Sequence, residues 1–136
     1  MLNDNITAVA ELVVADSDTA RRIALEPGDS FPDVFATARM IALMEVAAAR
    51  VMRPTLQDGQ LSVGVSLNVR HTAATPVGSR VHAVAILLRT EGKLSHFKVQ
   101  AYDDAGAIGE GEHVRAVIDA ARLLSGAERR RKPLSP

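Results

Sequence analysis

The sequence predicts an α+β fold in which one long apolar helix is wrapped by a curved antiparallel β-sheet. Two observations carry this reading. Residues 33–52, DVFATARMIALMEVAAARVM, contain no Gly or Pro and are rich in the strong helix formers Ala, Leu, Met and Arg. Beyond residue 60 the chain breaks into four β-rich stretches joined by short loops. An antiparallel sheet needs something to cover its apolar face, and the helix is the only element long and apolar enough to do so.

The elements follow in order. ITAVAELVV, residues 6–14, is β-branched and apolar and reads as the first strand. The stretch after it, DSDTARRIALEPGDSFPDV, has no clear period and reads as an irregular connection with room for one short helical turn or a flap. The helix has Ser30 or Asp33 as candidate caps and Pro32 in its first turn, and Pro54 stands where it should stop. QLSVGVSLNVRH (60–71) alternates strictly. RVHAVAILLRT (80–90) and LSHFKVQAYDD (94–104) are joined through Glu91-Gly92-Lys93 as a hairpin, and AIGEGEHVRAVID (107–119) is the last strand. Residues 1–126 form one domain, and 127–136, ending ERRRKPLSP, form a solvated basic tail. A helix wrapped in this way is the hot-dog architecture. Because the helix is apolar nearly all round, pairing of two protomers is the expected way to cover it.

Composition narrows the function. Sixteen basic and sixteen acidic residues cancel, so no net field attracts nucleic acid or an anionic membrane. Three per cent aromatic residues and no Trp leave no base-stacking platform. The absence of Cys excludes disulfides, thiolate nucleophiles and Cys-type zinc sites. The N-terminus does not read as a signal peptide and no apolar run reaches membrane-span length, so a cytoplasmic location is expected.

One carboxylate stands out. At 100° per residue Arg39, Arg50 and Arg53 fall within about 60° of one another, and Glu45 lies about 120° from Arg39, off that charged stripe. Its helical neighbours are Ile41, Ala42, Ala48 and Ala49, none of which can pair with it. Glu45 is therefore neutral, hydrogen-bonded or paired from another element. The non-catalytic reading is a partly exposed glutamate or one satisfied by a structural Arg. Thr37, eight residues earlier, reads as a helix-end hydroxyl bonded to nearby backbone.

In the strand 61–71 the odd positions are Leu61, Val63, Val65, Leu67, Val69 and His71, so a period of two turns His71 toward the helix. A Glu45–His71 contact, within or across protomers, follows as one reading, and a histidine satisfied by backbone is the other. Gly64 weakens its strand unless a ligand or another backbone approaches closely there. His82, His96 and His113 lie in separate strands without ligand spacing. They read as ordinary strand residues, with no metal site expected. The glycines of GAIGEGEH lack the strand–loop–helix context of a phosphate loop.

FPDVFATARMIALMEVAAARVMRP, RHTAATPVG and GEGEHVRAVID together resemble the fluoroacetyl-CoA thioesterase family of hot-dog enzymes, over most of residues 31–119. The resemblance implies a homodimer that cleaves a short acyl-CoA thioester without a cofactor, coenzyme A being part of the substrate. It implies catalytic roles for Thr37, Glu45 and His71, a glycine near the thioester carbonyl at Gly64, a pocket arginine at Arg115 and a lid phenylalanine at Phe31. Where the fluoroacetyl-selective member carries a second lid phenylalanine, this chain has Gly28, which implies a less closed lid and keeps the substrate class at short acyl-CoA. Two rival readings stay open: a non-catalytic acyl-CoA-binding hot-dog module, and a hot-dog dehydratase or hydratase.

Overall fold

The computed structural model describes residues 6–131 and 133. Five antiparallel strands lie in the order β1-β3-β4-β5-β2: β1 (Thr7–Val13), β2 (Gln60–His71), β3 (Arg80–Glu91), β4 (Leu94–Asp103) and β5 (Gly106–Asp119). The helix α1 (Thr37–Met52) packs on the concave face. Its inward stripe, Met40, Leu43, Met44, Ala47, Ala48 and Val51, recurs at helical spacing and is buried. The facing strands answer with small and branched residues, Ala83 and Ala85 on β3 and Val99 and Ala101 on β4, all fully buried. Small side chains on the sheet let the helix axis come close.

The sheet bends because its ladders slip. Register shifts fall at Leu88 in β3, at Val65 in β2, and at Ile108 in β5 opposite Ala101 and Tyr102 of β4. Each adds an unpaired residue, and such bulges increase local twist and bend. The β3–β4 turn is tighter than the three-residue connection expected, because Gly92 supplies the positive φ (62°) of a two-residue hairpin.

Three expectations need correction. The helix begins at Thr37, not at residue 33. Its N-cap is Ala36, so neither Ser30 nor Asp33 caps it. Residues 34–36 are held extended, Phe35 N–H donating to Thr75 O (2.8 Å) and Ala36 N–H to Asp18 O (2.9 Å), and these tertiary bonds outcompete another helical turn. The strict alternation of residues 61–71 also fails: Val65 is the extra residue of the β2 bulge, so Gly64 and Leu67 share the helix-side face. His71 does face inward, but Leu61 and Val65 do not share its face and are more than half exposed. Finally, a second helix, α2 (Ala120–Arg129), continues from β5, started by Arg122 N–H donating to the Asp119 carboxylate (3.0 Å). It runs through position 126. Of the stretch read as a basic tail, 132 and 134–136 lie outside the described residues.

One glycine sets how closely helix and sheet approach. A Cβ on Gly109 would lie 2.6 Å from Met40 Sδ and 2.7 Å from Arg70 O. Gly109→Ala therefore forces Met40 or β2 to move. Over-packing of this kind costs about 1–3 kcal/mol, which denaturant unfolding will read as a lowered midpoint with an unchanged slope.

Candidate active site

Two polar clusters stand on α1. The first is at its N-terminus. The last residue of β2 and the first of α1 meet there, with Thr37 Oγ1 2.7 Å from His71 Nδ1. The threonine hydroxyl thus bonds to an imidazole and not to the nearby backbone expected of a helix-end hydroxyl. His71 Nε2 is buried and has no hydrogen-bond partner among the described residues. Burial holds the imidazole below its ordinary value of 6.5, offset in part by the backbone at Ala73, so His71 is neutral at pH 7.

The pair opens into a cleft of about 460 Å³ whose walls include Phe31, Val34, Phe35, Thr72 and Ala74. The HTAATP segment forms one wall and is firmly anchored. Thr72 N–H donates to Ile108 O (2.7 Å), and the buried Thr75 hydroxyl donates to Asp103 Oδ2 (2.7 Å). Phe31 sits at the mouth, 46% exposed. Gly28 lies in an exposed turn, where an added Cβ would approach only Glu26 Oε1, at 3.8 Å.

The second cluster surrounds Glu45. Its carboxylate is paired from another element, Oε2 lying 3.7 Å from Arg115 Nη1 on β5, a charge contact longer than a hydrogen bond. Arg115 is itself buried. Its Nε donates to Ser62 Oγ (3.0 Å) and its Nη2 to Ser62 O (2.9 Å). Gly64 packs against the carboxylate: a Cβ there would lie 3.1 Å from Glu45 Oε1. The absent side chain leaves room beside Glu45 for a small group to approach.

The structure thus joins Thr37 to His71, and Glu45 to Gly64 and Arg115, and puts Phe31 at the cleft. No hydrogen bond or ion pair among the described residues joins Glu45 to His71. Eight residues of helix separate Thr37 from Glu45, about 12 Å along the axis. The sequence presents His113 as an ordinary strand histidine, but it is fully buried and bonds to Arg115 (3.1 Å). The signal for it was present, since His113 and Arg115 are two apart on one strand and so share a face.

A neutral imidazole bonded to a hydroxyl in an apolar cleft, with a carboxylate held by a buried arginine, is equipment for acyl transfer to water. The five-stranded sheet wrapped round one helix is the hot-dog fold. A hypothetical protein of Thermus thermophilus described as a thioesterase superfamily member has the same fold (TM-score 0.83, 30% identity, 95% of this chain and 93% of that one).

Residues 14–121 match the family model described as fluoroacetyl-CoA-specific thioesterase. The fluoroacetyl-CoA thioesterase of Streptantibioticus cattleyicolor is 43% identical over 110 residues, 79% of each chain. A solved structure of the fluoroacetyl-CoA thioesterase FlK superposes with a TM-score of 0.90 at 35% identity, covering 97% of this chain and 99% of that one. The chain belongs to the fluoroacetyl-CoA-specific thioesterase family and is a thioester hydrolase.

Proposed function

We propose that this chain is a cytoplasmic, homodimeric acyl-CoA thioesterase. It converts a short acyl-CoA and water to a carboxylic acid and free CoA, with Thr37, His71 and Glu45 as its working groups. The observation that carries the reading is the 2.7 Å bond between Thr37 Oγ1 and His71 Nδ1 at the cleft. Neutral His71 takes the proton of a water held by Thr37 as that water attacks the thioester carbonyl, and returns a proton to the departing thiolate. Glu45 stabilises the imidazolium formed in between. The backbone at Gly64, where no side chain blocks approach, receives the developing oxyanion. Coenzyme A enters as part of the substrate, and no other cofactor is needed. Arg115 holds Glu45 in place.

The separation of Glu45 from His71 within one protomer supports the dimer. Glu45, 39% exposed at its side chain, lies where α1 meets the edge strand β2, and with exposed Val46 it borders an open face of the protomer. A second copy docked on that face brings Glu45 of one protomer toward the Thr37–His71 pair of its partner. No helix among the described residues is long and apolar enough to cross a membrane, which fits action on a dissolved substrate.

The experiment is release of free thiol from acetyl-, fluoroacetyl-, butyryl- and octanoyl-CoA. Short chains should turn over well above background and octanoyl-CoA poorly. With Gly28 in place of a second lid phenylalanine, acetyl and fluoroacetyl rates should be of the same order. Tight binding without turnover would favour a binding module, and a change in enoyl absorbance without thiol release would favour a hydratase.

The pH profile follows from His71. The neutral imidazole is the active form, and its folded-state value is lowered, so activity is full at pH 7 and lost as pH falls through that lowered value. The acid limb of kcat/KM should therefore lie below 6.5, the ordinary imidazole value. An acid limb above 6.5 would show that the titrating base is not this buried histidine.

A further inference from the structure

His113 is the buried titratable group that the mechanism above leaves without a task. It is fully buried at the centre of β5, opposite Leu67 of β2 and Phe97 of β4. Its protonation state follows from its two partners. Nδ1 lies 2.9 Å from Ser66 O, and a carbonyl only accepts, so Nδ1 carries the proton. Nε2 lies 3.1 Å from Arg115 Nη1, and a guanidinium only donates, so Nε2 carries a lone pair. The ring is a neutral imidazole in one tautomer.

We propose that His113 is a positioning residue for the hydrolysis: by accepting a hydrogen bond from Arg115 it fixes the guanidinium against Glu45, whose carboxylate in turn borders Gly64. This rests on the acyl-CoA thioesterase reading. The nitrogen it holds, Nη1, is also the one 3.7 Å from Glu45 Oε2. The other two donors used by Arg115, Nε and Nη2, are held by Ser62. Removing the acceptor at His113 therefore frees the end of the guanidinium that faces the carboxylate and leaves the other end tied. The ring also backs the same spot from the far side, since a Cβ on Gly64 would lie 3.3 Å from His113 Cε1 and 3.1 Å from Glu45 Oε1. Carboxylate, guanidinium, imidazole and the bare backbone of Gly64 thus form one unit, and His113 is the member that never meets substrate.

The test compares His113→Leu, which removes the acceptor, with His113→Gln, whose amide oxygen replaces it. Kinetics are measured in the wild-type and Glu45→Gln backgrounds. In the wild-type background Leu should lower kcat about tenfold, the worth of one hydrogen bond to a charged group, with KM little changed and Gln restoring most of the rate. In the Glu45→Gln background Leu should cost almost nothing more, because both changes disable one unit. Equal losses in both backgrounds, a harmless Leu, or a Gln as damaging as Leu would overturn the proposal.

A second readout does not need turnover. In 15N-labelled protein the Nη1–H resonances of Arg115 should persist in His113→Gln and disappear in His113→Leu, while the Nε–H resonance, held by Ser62, persists in both; survival of the Nη1–H resonances in Leu would overturn the coupling. If wild type cleaves no thioester, the functional reading fails on the acyl-CoA panel, and these resonances still decide whether His113 holds Arg115.

Discussion

His71→Ala is expected to lower kcat for acyl-CoA hydrolysis by about 10²–10⁴-fold, the range general acid–base catalysis contributes. The imidazole is half-buried, neutral at pH 7 and bonded to the Thr37 hydroxyl, and it is the only titratable side chain among the residues lining the cleft. Removing it leaves both proton transfers, to the attacking group and from the leaving thiol, to bulk water. KM should change less, since the cleft walls are made by Phe31, Val34, Phe35 and the HTAATP segment, which the substitution leaves in place. Folding should survive as well, because His71 ends its strand and Nε2 has no hydrogen-bond partner among the described residues to lose. A variant that keeps its circular dichroism spectrum and its full rate would remove His71 from the mechanism.

Val65→Asp should abolish activity without unfolding the chain. β2 is an unpartnered edge of the sheet, and an edge with exposed apolar side chains is a template for pairing with another chain. Leu61 (56% exposed) and Val65 (55%) stand on its outer face, and Leu67 (37%) stands on the helix side, where Val46 of α1 is also exposed next to Glu45. Exposed apolar side chains on both faces of one open edge mark that edge as an interaction surface. A charge at Val65 costs little in the free protomer, where it is solvated, and much in an interface that must dry it. Light scattering should report a monomer for Val65→Asp and a dimer for wild type. At equal concentration the variant's turnover should fall to the level of Glu45→Gln. A monomer with full activity would place the whole site in one protomer.

The parts of the fold that follow a local rule were legible in the sequence. Strands 60–71, 80–90, 94–104 and 107–119 came within a residue of their observed bounds, because alternation and short polar turns are local signals. The start of α1 was not, because bonds from Asp18 and Thr75, distant in sequence, hold residues 35 and 36 extended. The bulge at Val65 has no compositional mark. It slips the face assignment of everything before it, so Leu61 and Val65 were placed inward when they look out. α2 was hidden by composition: ARLLSGAERRR places Ser and Gly within a highly charged stretch, and its leucines, Leu123 and Leu124, are exposed.

The site divides in the same way. The misfit of Glu45 on its helix was readable, and so was the inward turn of His71. The hydroxyl–imidazole bond spans 34 positions and could be placed only through the family resemblance. His113 is not legible as a site residue, because strand alternation gives a face but not what lies across it.

The proposed hydrolysis needs the Thr37–His71 pair of one protomer working with Glu45 of the other, and complementation tests that most directly. His71→Ala and Glu45→Gln, each left with only a low residual rate alone, are co-expressed with different tags and the mixed dimer population is assayed for free-thiol release from acetyl-CoA. Random pairing makes half of the dimers mixed, each with one intact site, so about a quarter of wild-type activity should return. A mixture no more active than its two parents would contradict a site shared across the dimer.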